Sequence, residues 1–118
     1  MTIAVIGAGA SGMMAALTAA EQPENKILLF ERQARVGRKL AVTGNGRCNL
    51  TNRNAAPEHY HSADTARLAD ILERTPPDAV LDFFGEMGLL CDTQADGRVY
   101  PYCYQASMVL DVLRAALE

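Results

Sequence analysis

The sequence predicts an α/β fold built on a parallel sheet, and three observations lead there. Thr2-Ile3-Ala4-Val5-Ile6 is a short apolar run rich in β-branched residues and closed by Gly7, the pattern of a buried strand. Met13 to Gln22 is dense in Ala, Leu and Met, all good helix formers, and Pro23-Glu24-Asn25 breaks that helix. Lys26-Ile27-Leu28-Leu29-Phe30 is a second apolar run ending at Glu31. Residues 2–31 therefore read as one β–α–β unit, with the right-handed crossover that parallel strands require.

The remaining elements follow in order. Arg32 to Ala56 shows neither helical nor strand period, and it holds three glycines and four asparagines. A loop of that length inside a compact domain is usually functional. Asp64 to Arg74 reads as a helix with Leu68, Ile71 and Leu72 on one face, capped by Ser62 or Asp64. Pro76-Pro77 opens another, with Val80, Leu81, Phe83, Phe84 and Met87 as its apolar set and Gly88 as its stop. Leu89–Asp92 and Arg98–Tyr100 flank the turn signal Ala95-Asp96-Gly97 and predict a hairpin. Gln105 to Glu118 is a last helix, with Met108, Val109, Val112, Leu113, Ala116 and Leu117 at helical spacing. Two parallel strands alone make a poor sheet, and a crossover-like helix with no strand after it suggests the N-terminal piece of a longer protein.

Length and composition narrow the function. The 118 residues suit one domain, 1–118, divided into the β–α–β unit (1–31), a loop (32–56) and a helical and hairpin segment (57–118). Hydrophobic residues at 49% and charged residues at 21% are those of a globular protein rather than a disordered one. No apolar run approaches the ~18 residues of a membrane-spanning helix, and the N-terminus lacks the pattern of a secretory leader. Cys48, Cys91 and Cys103 are odd in number and form no C-x-x-C, which argues against a disulfide scaffold or a zinc ribbon. A reducing, cytoplasmic setting is expected, with neither a membrane nor a nucleic acid as partner and no metal site. His59 and His61 lie two apart without partners at metal spacing and read as surface residues.

Charge is unevenly spread. Arg32, Arg35, Arg38, Lys39, Arg47 and Arg53 fall in one 22-residue stretch free of acidic residues, whereas the rest of the chain carries five basic and 14 acidic residues. A cationic island on an acidic chain points to one loop region that meets an anion.

The anion is suggested by the first turn. Gly7-Ala8-Gly9-Ala10-Ser11-Gly12 is a G-x-G-x-x-G string with a strand before it, a helix opening inside it, and an acidic residue, Glu31, 19 positions beyond Gly12. That is the fingerprint of a Rossmann-type dinucleotide site. Gly7 makes the tight turn, Gly9 lets backbone approach a pyrophosphate, and Gly12 lets helix and strand pack closely. The free N–H groups at the helix start face the phosphates. Glu31 is placed to accept from a ribose hydroxyl and to repel a 2′-phosphate, which favours the adenosine half of FAD or NAD over NADP. The fingerprint does not separate FAD from NAD. The long cationic loop that follows suits a cofactor with further phosphate, ribityl and ring to hold.

Gly37-Arg38-Lys39-Leu40, then Thr43-Gly44-Asn45-Gly46-Arg47-Cys48-Asn49-Leu50-Thr51-Asn52, and later Gly97-Arg98-Val99-Tyr100-Pro101 with Ala106, resemble the signatures of the BaiN-like NAD(P)/FAD-dependent oxidoreductases, a family that includes aminoacetone-oxidase-type members. The resemblance covers essentially the whole chain. Tyr100 stands where Phe is commoner and Cys103 where a small polar residue is commoner. The resemblance implies a flavoprotein of about 400 residues whose N-terminal β–α–β unit binds FAD and whose substrate-facing insert and flavin-closing segment lie further along.

The candidate cofactor-binding residues are Gly7, Ala8, Gly9, Ala10, Ser11, Gly12, Glu31, Arg32, Arg38, Lys39, Thr43, Gly44, Gly46, Arg47, Cys48 and Asn49. Arg38 and Lys39 are read as pyrophosphate or ribityl contacts. Arg47 either sets positive charge near the flavin or pairs with a carboxylate. Cys48 is read as a packing residue rather than a reactive one. Asn49, Thr51 and Asn52 either bond the flavin edge or hold the loop. Alternating Tyr100, Tyr102 and Tyr104 read as an extended segment. No catalytic residue stands out.

The leading expectation is the FAD-binding portion of an oxidoreductase that moves hydride or electrons between NAD(P)H or a small organic substrate and an acceptor. The piece alone is expected to be inactive. Two other readings compete: an NAD module of a dehydrogenase, and a non-enzymatic polyanion or RNA binder built on the six cations.

Overall fold

The structure, a computed structural model, describes residues 1–118. The chain forms two compact units, one of Met1–Cys48 with Gln105–Glu118 and one of Asn49–Tyr104. The division follows packing rather than chain order, because the last helix belongs with the first unit.

In the first unit β1 (Thr2–Ile6) and β2 (Lys26–Phe30) pair in parallel, with Thr2 opposite Lys26 and Ile6 opposite Phe30. Helix α1 (Ala10–Ala20) joins them and starts earlier than its Ala/Leu/Met-rich stretch, inside the glycine string. Its buried Met13 and Ala16 face the sheet side that carries Ile3, Val5, Ile27 and Leu29. The final helix α5 (Ala106–Leu117) packs beside α1 and buries Val109, Leu110 and Leu113. The expectation of strands buried on both faces holds on one face only. The other presents Ile6 at 80% and Phe30 at 52% exposure, because both helices lie on the same side of the sheet.

The 32–56 loop acquires local structure that periodicity could not show. Leu40–Val42 is a 3-10 turn, and α2 (Thr43–Gly46) is a single turn whose Gly44 and Asn45 have left-handed backbone angles. In the second unit Thr51–Asn52 forms a two-residue strand, β3.

The expected hairpin is present as β4 (Cys91–Thr93) and β5 (Arg98–Pro101), and β3 joins it to give an antiparallel sheet of order β3-β5-β4. Val99, Tyr100 and Pro101 are its buried centre. Helix α3 (Thr65–Arg74) is capped by Asp64, whose carboxylate accepts from the Arg67 N–H at 2.9 Å. Ser62 bonds Asp64 instead of the helix. Helix α4 (Pro77–Glu86) buries Phe84, against which Phe83 sits edge-on, and ends where Leu89 N–H reaches back to the Phe84 carbonyl.

Candidate dinucleotide site

The site begins where β1 stops. Gly7 has a φ of +96°, a conformation that side chains with a Cβ disfavour, and its N–H still pairs with the Phe30 carbonyl at 2.7 Å. A Cβ on Gly12 would collide with the Gly7 carbonyl oxygen, so the helix approaches the turn this closely only with hydrogen at that position. Gly9 is different: a Cβ there would meet nothing within 4 Å. It would instead stand in the open space a bound diphosphate needs.

Gly9 is also the N-cap of α1. It offers no side-chain cap, and the first helical turn carries no acidic residue. The first helical bond runs from Met13 N–H to the Gly9 carbonyl at 3.0 Å. The N–H groups of Ala10, Ser11 and Gly12 therefore have no acceptor within the helix. They form a positive end suited to an anion, and the three glycines give it room.

Glu31 closes the arrangement from the end of β2. One carboxylate oxygen accepts from Ala8 N–H at 2.8 Å and the other from Gln33 N–H at 2.8 Å. These two bonds, Gln33 first and Ala8 second, hold its pKa below the ordinary value, with the Arg32 charge adding to them. Each oxygen keeps a second lone pair, so a ribose hydroxyl still finds an acceptor. No local pattern foretells this brace between Glu31 and the glycine turn, nor its counterpart from Gly37 N–H to the Ala8 carbonyl at 2.8 Å. Ala8 is fully buried between them. A cleft of ≈ 430 Å³ opens beside the turn, lined by Ile6, Gly7, Phe30, Glu31 and Arg32.

The rest of the candidate set lies along the loop. Lys39 precedes the 3-10 turn. Arg38 donates to the Gln33 side chain at 3.1 Å and lines a groove against α5 rather than the cleft at Gly7. Thr43 Oγ1 donates to the Leu40 carbonyl at 2.7 Å, and Arg47 Nε donates to the Gly44 carbonyl at 3.2 Å. Cys48 N–H reaches the Thr43 carbonyl at 3.0 Å. Burial pushes the Cys48 thiol up, and a hydrogen bond with Thr43 offsets part of that shift.

In the second unit Asn49, with its amide turned to satisfy its neighbours, donates to the carbonyls of Thr51 at 2.9 Å and Val99 at 3.2 Å, which holds the loop to β5. His59 is exposed with Nδ1 2.9 Å from the Asn54 carbonyl, and no group of His, Cys, Asp or Glu is placed to hold a metal ion. None of the cysteines forms a disulfide, and no helix is long and apolar enough to cross a membrane.

A β–α–β unit with an open glycine turn, unpaired helix N–H groups and a carboxylate at the end of the second strand defines a nucleotide-binding domain of Rossmann type. Comparison with known proteins makes this specific. The model of the HI0933-like protein Rossmann domain matches residues 1–118, so the chain belongs to that family of flavoprotein oxidoreductases, the BaiN-like proteins that its loop motifs resemble. The chain is 36% identical over 117 residues to a 3-dehydro-bile acid delta(4,6)-reductase of Clostridium scindens, covering 98% of this chain and 28% of that protein. It is 27% identical over 115 residues to a ribosomal RNA dihydrouridine synthase of Haemophilus influenzae, covering 97% and 28%. A ribosomal RNA dihydrouridine synthase of Escherichia coli is 30% identical over 96 residues, covering 81% and 24%. The chain thus spans about a quarter of the length of these relatives.

Proposed function

We propose that the chain is the FAD-binding portion of a flavin-dependent reductase that takes hydride from NAD(P)H and delivers it to an activated carbon–carbon double bond of a small organic substrate. The glycine turn carries this reading. Gly12 is compelled by packing and Gly7 by its backbone angle, but nothing within the protein compels Gly9, and a bound diphosphate would. The relatives support the chemistry: the delta(4,6)-reductase is named for a reduction on a small bile acid, and the dihydrouridine synthase for a reduced base in ribosomal RNA.

Flavin, once bound, supplies the hydride-accepting and hydride-donating ring. The chain's own residues bind and orient it. The N–H groups of Ala10, Ser11 and Gly12 hold the diphosphate, and Glu31 holds the adenosine ribose while bracing the turn through Ala8. The loop from Lys39 to Cys48 provides main-chain groups and the Arg47 charge beside the ribityl and ring portion.

The test is to purify the full-length protein and record its visible spectrum before and after anaerobic NADPH or NADH. A yellow protein bleached by reduced nicotinamide is the expected result. A colourless protein that gains no flavin absorbance when FAD is added would end this reading.

A further inference from the structure

Away from the glycine turn, the first unit carries a second concave feature. A groove of ≈ 500 Å³ runs between residues 33–41 and α5, with an apolar floor that includes Val36 and Leu110, and Arg35, Arg38 and Arg114 line it together with Gln33 and Ser107. No carboxylate lines it, and neither does any residue of Gly7–Gly12 or Glu31. The Gln33 amide fixes Arg38 at 3.1 Å. The ion pair of Arg114 is long and exposed, to Asp111 at 3.6 Å. Arg35 is exposed and makes no ion pair.

Three like charges gathered in one groove repel one another, and on a chain of net charge −3 with 14 acidic residues counter-charges were readily to hand. Such a cluster becomes favourable when an anion enters it. Guanidinium forks meet phosphate oxygens two at a time, and the Ser107 hydroxyl adds a neutral donor. A phosphate monoester, with a charge of about −1.5 to −2 at neutral pH, matches three cations better than the single charge of a carboxylate does, and on a nucleic-acid backbone several singly charged diesters do so together.

We propose that this groove binds the phosphate group of a phosphorylated ligand distinct from the dinucleotide at the glycine turn. The phosphate can belong to a free nucleotide cofactor or to a nucleic-acid backbone, and the experiment separates the two.

The full-length, flavin-loaded protein is titrated by calorimetry with inorganic phosphate, NADP+, NAD+ and a short single-stranded RNA. The titrations are repeated with the Arg35→Ala/Arg114→Ala double variant. Neither residue belongs to the candidate cofactor set, so flavin content stays unchanged, and the visible spectrum checks it. Phosphate is expected to bind the parent protein and to weaken by about tenfold or more in the double variant. NADP+ favoured over NAD+ by a similar factor, and only in the parent, assigns the groove to a 2′-phosphate. RNA binding that falls steeply with salt, and only in the parent, assigns it to backbone phosphates.

Should the double variant lose flavin, the single exposed change Arg35→Glu replaces it, with the same loss of phosphate binding expected. The proposal is overturned if the flavin-loaded parent binds no phosphate, or if flavin-loaded variants bind it as well as the parent. A protein without flavin would instead overturn the proposed function, so the two failures are distinguishable.

Discussion

Between Gly7 and Gly12 the chain takes its shape from side chains that are missing, whereas between Leu40 and Cys48 it takes its shape from hydrogen bonds its own residues make to one another. In the turn, Gly12 lets α1 press on the Gly7 carbonyl, Gly9 leaves open space, and the helix N–H groups remain uncommitted. In the loop, Thr43, Arg47 and Cys48 each spend a donor on a nearby carbonyl. The turn is therefore prepared for a ligand, while the loop is first of all holding itself. Changes in the turn should cost binding out of proportion to stability, and changes in the loop should do the reverse.

The largest effect should come from Gly12→Val. Its side chain would drive into the Gly7 backbone, which cannot move without breaking the strand pairing at Phe30. A stability loss of roughly 1–3 kcal/mol is expected from overpacking alone, and flavin content after purification should fall to near zero. By contrast Gly9→Ala meets no protein atom, so it should leave the melting temperature almost unchanged while weakening FAD by about tenfold or more, as a diphosphate contact is lost. Denaturation and flavin titration of the two variants side by side test the contrast. Equal damage to stability in both would break it.

Glu31→Gln comes next. The amide keeps one acceptor oxygen but turns donors toward a main-chain N–H that now finds none, so both the brace on Ala8 and the ribose contact suffer. FAD affinity should drop by about tenfold. The pH dependence has a definite sign. The folded-state pKa of Glu31 lies below the ordinary glutamate value of about 4.5, so its contribution to stability is fully present above that value. It is lost as pH falls through the lowered folded value. The stability gap between the parent and Glu31→Gln should accordingly be constant at neutral pH and close on acidification below about 4.5. A gap that widened in acid would show that Glu31 is not the group being protonated.

The same contrast explains what could be read in advance. The two parallel strands, four of the helices, the hairpin and the glycine turn were legible because each rests on local pattern: Ile3 and Val5 alternate in burial, Pro77 opens α4, and Asp96-Gly97 turns the hairpin. Strand β3 was not legible, since two residues carry no period and Thr51 and Asn52 become a strand only by pairing with Val99 and Arg98 far along the chain. The Ala8–Glu31 brace was hidden for a related reason, as it joins a backbone N–H to a carboxylate 23 residues away. Arg38 illustrates a limit of motif reading. Its place beside Lys39 suggested a pyrophosphate or ribityl contact, and the motif could not show that it reaches the Gln33 side chain in the groove beside Arg35 and Arg114.

Cys48 tests the loop half of the comparison. It is 4% exposed, and its backbone φ of +56° is unusual for a residue with a Cβ. Cys48→Ser places a more polar hydroxyl in that buried position and should cost about 1–2 kcal/mol with little change in FAD affinity. Because burial raises the Cys48 thiol, iodoacetamide at neutral pH should label exposed Cys103 well before Cys48. Rapid labelling of Cys48 in the folded protein would mean that the loop opens, and that its hydrogen bonds do not hold it.

The smallest effect is expected at Asn45, and it sharpens the comparison most because it separates backbone from side chain. Asn45 sits at φ +57° and ψ +46°, next to Gly44 in the same left-handed region. Asn tolerates that region better than most residues and glycine better still. Asn45→Gly should therefore change stability by at most about 0.5 kcal/mol, while Asn45→Val, branched at Cβ, should lose about 1–2 kcal/mol. If the loop serves only to set a backbone path, Asn45→Gly keeps full FAD affinity. Should Asn45→Gly retain its stability yet bind FAD less well, the amide side chain itself touches the cofactor, and the loop would then resemble the turn in holding a group in reserve for its ligand.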